Sequence, residues 1–230
     1  MIFLLALFLG LGIPAGAQQE TDLSSFLDTL LSVDPDSSIL VLDPMLEGAV
    51  ASMEAGDAEG AAAELQDIVL RTPNHLQALR LQASCYLRLK DVENAIATCL
   101  QISALDSLDT SAQVTLGYLY QASGNANNAE LYYQLVLDKD PDAYLALFGL
   151  GWIQLDRKNL DDAHEAATRI TEIAPEYAPN YVLLGRVLTV KGFYKEAAWA
   201  YRHGFSLDPS LRARYGILLQ ELTIRHRLEP

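Results

Sequence analysis

The chain is poor in the groups that catalysis and nucleic-acid binding depend on. Among 230 residues there are two cysteines and four histidines. His75, His164, His203 and His226 share no metal-ligand spacing. His164-Glu165 opens like the metalloprotease motif HExxH, but Thr168 stands where the second histidine belongs. There is no glycine-rich phosphate loop, no G-x-G-x-x-G and no G-x-S-x-G elbow. Asp161-Asp162 and Asp138, Asp140 and Asp142 fall at helix boundaries, where carboxylates cap and oppose the helix dipole. They lack the glycine and closing glutamate of an EF-hand. Bases are scarce, 16 against 30 acids for a net charge of −14, which excludes the basic footprint that phosphates demand. No apolar run reaches the roughly 20 residues of a membrane-spanning helix. Proline and glycine, 9 and 14, are too few for a disordered or collagen-like chain. The reading is of a non-enzyme with no cofactor, no metal, no nucleic-acid partner and no catalytic residue.

What is present is apolar and patterned. Half of the chain is hydrophobic, so a packed core is expected. Charge is uneven. Between Glu20 and His75 there are 12 acids and one base, Arg71, whereas Ala178 to Pro230 holds 8 bases and 4 acids. These are solvated faces, or else an electrical polarity that orients a partner or stacks copies end to end. Ile2 to Ala15 is almost wholly apolar, and Ala15-Gly16-Ala17 offers small residues for cleavage before Gln18. Residues 1–17 are therefore read as a secretory signal peptide, although no Lys or Arg precedes the run. Left uncleaved, they would be an anchor and the chain's one link to a membrane. Residues 18–41 form an acidic segment with one amphipathic helix, Asp22 to Val33, carrying Leu23, Phe26, Leu27, Leu30 and Leu31 on one face.

The rest obeys a period of 34. Prolines stand at 73, 141, 175 and 209, with Ser107 filling the gap. At a background of about 5% proline, four hits in five preset positions has a chance on the order of 10⁻⁵. Twelve residues before each site is an alanine: Ala61, Ala95, Ala129, Ala163 and Ala197. Twelve before those is a small residue: Ala49, Ala83, Gly117, Gly151 and Gly185. Each unit is then two antiparallel helices, A and B, crossing where only Ala or Gly fits. Gly56, Gly124 and Gly192 end A helices, and the proline column ends B helices.

These columns resemble the tetratricopeptide repeat (TPR) family. The third unit carries Leu116-Gly117, Tyr120, Gly124, Ala129, Tyr133 and Pro141, and the fifth Leu184-Gly185, Gly192, Tyr194, Ala197, Tyr201 and Pro209. The resemblance implies an all-α solenoid, a right-handed superhelix of antiparallel helix pairs. Residues 42–209 make five units of 34, and 210–230 a capping helix with Tyr215, Leu218, Leu219 and Leu222 facing inward. Helix pairs are predicted at 44–55 and 58–71, 76–89 and 92–105, 110–123 and 126–139, 144–157 and 160–173, and 178–191 and 194–207, with the last helix at 210–226. Cys85 and Cys99 share one repeat and face inward, as two buried thiols or as a disulfide.

The resemblance further implies that A helices line a concave groove that holds a partner peptide or helix. The residues expected there are Arg80, Arg88, Val114, Tyr118, Leu145, Phe148, Trp152, Leu155, Val182 and Arg186, with Leu46, Val50, Ser84, Gln121 and Thr189 beside them. The Lys/Asn/Arg clamp by which some members hold chaperone tails is missing, since Leu46, Val50 and Thr115 occupy its places. Tyr144 to Leu155 carries no charge, and Phe148, Trp152 and Leu155 add a second apolar stripe to a helix that already faces its hairpin partner. A protein partner, the chain's own helix 22–33 or another copy would cover it. Trp199, with Phe193 and Tyr194, adds a convex aromatic patch. The function expected is a scaffold or adaptor, exported and periplasmic or envelope-associated. The alternative is a self-assembling module that uses the stripe and the charge polarity, so that a homo-oligomer is open.

Overall fold

The structure, a computed structural model, describes residues 43–227. The expected signal segment 1–17, the acidic helix 22–33 and the last three residues lie outside them. Every regular element among the described residues is helical. A 3₁₀ turn, Pro44–Leu46, leads into α1 (Glu47–Glu54) and α2 (Ala58–Arg71). There follow α3 (Leu76–Arg88), α4 (Val92–Leu105), α5 (Thr110–Ala122) and α6 (Ala126–Leu137). The chain continues with α7 (Tyr144–Asp156), α8 (Leu160–Ile173), α9 (Ala178–Lys191), α10 (Tyr194–Leu207) and α11 (Ser210–His226). The first helix starts three residues later than predicted, because Asp43 caps the 3₁₀ turn through the Met45 N–H. The sixth stops at Leu137, two residues early, where the Lys139 and Asp140 N–H groups both turn back to the Val136 carbonyl.

The packing follows from the small-residue columns. Ala61, Ala95, Ala129, Ala163 and Ala197 are each fully buried. Opposite them Ala49, Ala83, Gly117, Gly151 and Gly185 are buried as well. A methyl group added at Gly185 would press into the Tyr201 ring at 2.9 Å, and one at Gly151 would meet Leu183 at 2.7 Å. Close helix approach there is set by what the side chains lack.

The turns within the hairpins share one conformation. Gly56, Gly124 and Gly192 have φ of 81°, 80° and 85°, which costs glycine little. At the same place in the other two units stand Lys90 and Lys158, with φ of 57° and 65°. In all five turns the next residue's N–H closes back on the A helix: Asp57 to Ser52, Asp91 to Tyr86, Asn125 to Tyr120, Asn159 to Gln154 and Phe193 to Leu188. This is the Schellman pattern that satisfies the last helical carbonyls. Asp57, Asp91 and Asn125 then cap the B helix by accepting from Gly60, Asn94 and Asn128 N–H groups.

The described residues divide into two compact units, 43–132 and 133–227, with the division inside α6. In the first, Leu46, Ala49, Ala61, Leu65, Ala78 and Cys85 form one core cluster, and Leu79, Ala83, Cys99, Ile102, Ala112 and Leu116 another. Each cluster draws on a hairpin and the helix after it, so the core passes from unit to unit of the repeat. Leu46 belongs to this core with no exposure, not to a groove. Cys85 and Cys99 sit in different clusters and are free thiols. Burial pushes the Cys99 thiol up to about 12. In the second unit α11 lays Leu211, Tyr215 and Leu222 inward, with Leu218 and Leu219 half-buried.

Candidate binding surface

Each A helix has a face left over once the hairpin crossing is made, and the two units build that face differently. In the first unit Arg80 on α3 reaches the start of α5. Its Nε donates to Asp109 Oδ2 at 3.0 Å, and a terminal nitrogen lies 2.9 Å from the same carboxylate. Asp109 is buried and also accepts from the Ala112 N–H at 2.8 Å, capping α5. Arg80 is thus tied to the next repeat, half-exposed rather than free. Arg88 is exposed, whereas Val114 and Tyr118 are buried. A step before, His75 Nδ1 accepts from the Ala78 N–H, so that Nε2 carries the proton and donates to Asp43, 3.1 Å away. The Met45 N–H and then His75 hold the Asp43 carboxyl below its ordinary range.

In the second unit the same place is aromatic. Phe148 on α7 packs edge-on against Tyr177, the residue that opens α9, at 5.3 Å between ring centroids. Tyr144 also meets Tyr177 edge-on at 5.1 Å, and Phe148 meets Trp152 at 6.1 Å. Phe148, Leu145, Leu155 and Val182 are all buried. Trp152 and Arg186 are half-buried, and the Arg186 guanidinium lies over the Trp152 ring, 5.3 Å from its centre. This is a cation–π distance. The Trp152 indole N–H is buried without a hydrogen-bond acceptor among the described residues. Burial raises the Asp156 carboxyl, one turn further along α7, and Arg186 opposes that rise. Of the ten groove positions expected from the sequence, Trp152 and Arg186 are the pair that combine partial exposure with direct contact.

Beyond Arg186 the surface deepens into a half-open cleft of about 320 Å³ between α9, α10 and α11. Val190, Leu218 and Leu222 give it an apolar wall, and Arg186, Glu221 and Arg225 its charges. Tyr194 stacks on His226 with centroids 3.4 Å apart. The Tyr201 phenol, pushed up to about 12 by burial, stays protonated. Sequence reasoning missed this cleft, since its walls come from three helices and its α11 side from outside the 34-residue columns. The expected aromatic patch around Trp199 is also built from other residues. Trp199, 56% exposed, stacks on His203 with Tyr181 edge-on, while Tyr194 turns to His226.

Among the described residues no three of His, Cys, Asp and Glu are grouped to hold a metal ion. No helix among them is long and apolar enough to cross a membrane.

The geometry agrees with known proteins. The structure is similar to that of MamA, with a TM-score of 0.64 and 20% identity over 76% of this chain and 100% of that one. It is similar to PilW, described as a widely conserved type IV pilus biogenesis factor, at 0.62 and 19% over 71% and 76%. It is also similar to YrrB, described as a TPR protein with an unusual peptide-binding site, at 0.58 and 15% over 84% and 98%. Identities this low speak for the fold alone. The tetratricopeptide repeat profile matches residues 46–109 and 114–178, more than half of the chain. With the five-fold columns, the shared turn and the buried alanines, that match makes the chain a member of the tetratricopeptide repeat family.

Proposed function

We propose that the protein is a non-catalytic scaffold that holds a segment of a protein partner on the leftover faces of its A helices, with Trp152 and Arg186 as anchor in the second unit. The observation that carries this is the state of Trp152. Its ring is half-covered, with an arginine laid on one face and an indole N–H that lacks an acceptor. The exposed part of that ring is open to a partner's side chain, and aromatic and arginine side chains are the usual energetic centres of such contacts. The peptide-binding site named for YrrB supports the reading by analogy of fold.

The scaffold would work outside the cytoplasm, in the periplasm or at the envelope. The apolar residues 2–15 with their small-residue junction support this, and so does the likeness to a pilus biogenesis factor. Residues 1–17 would direct export, 42–209 would carry the five repeats, and 210–230 would close them.

The test is quantitative capture of partners from envelope extract by the purified protein and by Trp152→Ala, with helical content followed by circular dichroism. Capture should fall at least about tenfold with helicity unchanged, as befits loss of an aromatic anchor. Capture indifferent to the substitution would overturn the reading.

A further inference from the structure

The cleft between α9 and α11 lies in the basic stretch 178–230 and differs in charge from the chain as a whole. The whole protein carries −14, yet two guanidiniums face one carboxylate here. Arg186 is already engaged over Trp152. Arg225 is not: it is exposed, lines the cleft and forms no ion pair with any described residue, not even with Glu221 one turn before it. Beside it runs an apolar wall of Val190, which is 60% exposed, and Leu222. Thr189 and Tyr201 belong to the same walls.

We propose that this cleft is a binding site for an acidic segment of a protein partner, a carboxylate on Arg225 flanked by an apolar side chain against Val190 and Leu222. The inference rests on the scaffold reading above and gives it a chemistry. A bare inorganic anion would leave the apolar wall unused. An acidic segment would meet repulsion from residues 43–132, with 12 acids against 4 bases, and attraction here, so that charge selects the site as well as the ligand. The volume suits one or two side chains rather than a folded domain, at the low end of ligand pockets.

The experiment is selection from a random-peptide phage library on the immobilised full chain, followed by affinity measurement of the enriched peptides at low and high salt. Enriched peptides should carry Asp or Glu next to an apolar residue. Their affinity should fall about tenfold or more in Arg225→Glu, less in Arg225→Gln, and weaken with salt. Both variants change an exposed side chain, and circular dichroism checks that they fold. Enriched peptides without acidic residues, or indifferent to both variants, would overturn the proposal and leave the scaffold reading standing. Recovery of no peptide would overturn both.

Discussion

Arg80 with Asp109, and Phe148 with Tyr177, are the same joint built from different chemistry. Each first residue stands at one position of its A helix, and each second residue opens the A helix after it. In the first unit the joint is a charge-assisted pair whose acid is buried and whose base is half-exposed. In the second it is an edge-on contact between two buried rings. The small-residue columns allow both, since they fix where backbones cross and leave this position unconstrained. The repeat frame therefore specifies that successive hairpins are joined. It does not specify the kind of force that joins them.

The largest test of this difference is Phe148→Ala. Truncating a buried ring should cost about 3–5 kcal/mol, read as a lower denaturant midpoint with a scarcely changed slope. Asp109→Ala should cost less, about 1–3 kcal/mol for the lost cap and the lost bond to a charged group. Its penalty should shrink in high salt, while that of Phe148→Ala should not. Equal penalties with equal salt response would erase the distinction between the joints.

Alkaline pH probes each unit most strongly through one buried acid. The Cys99 thiol and the Tyr201 phenol are both raised to about 12, from ordinary values of 9.0 and 10.0. The folded chain then holds protons that the unfolded chain releases first. Stability is thus whole below about pH 9 and falls as pH climbs towards 12. Cys99→Ala should reduce the fall that begins near 9, to which the raised Cys85 thiol also contributes, and Tyr201→Phe the one that begins near 10, which the raised Tyr144 and Tyr181 phenols share. The smallest effect should come from the hairpin turns. Lys90→Gly and Lys158→Gly relieve a left-handed backbone and should stabilise by up to about 1 kcal/mol each. A loss of stability instead would mean that the lysine side chains hold their turns by contacts worth more than the strain.

Much of the fold could be read directly, because a 34-residue period records one geometric demand five times over. Alanine at 61, 95, 129, 163 and 197 is the least bulky residue with a good helix propensity, and all five are buried. The capping helix was found at its observed limits, since Tyr215 and Leu222 keep the phase of the helices before it. Lys90 and Lys158 were less legible. Nothing in a lysine announces positive φ, and the period alone points to it. The joint residues were hidden for another reason: Phe148 reads as an open groove position until Tyr177, in the following repeat, is set beside it. The Arg225 cleft was hidden because composition showed a basic C-terminal stretch but not which cation would be left without an acid.

Each joint is written by two residues 29 positions apart, almost a full period but in different copies. A chain of this kind that lengthened by duplicating one unit in place would keep both joints and gain a new seam between the two copies; doubling the unit that opens with Asp109 would set Val114 of the first copy against Asp109 of the second. The newborn unit would then meet its neighbour with mismatched chemistry, an apolar side chain against a carboxylate. Growth of such an array is thereby governed at its seams, where compensating changes would have to arise in pairs before the enlarged chain could fold as tightly as its parent.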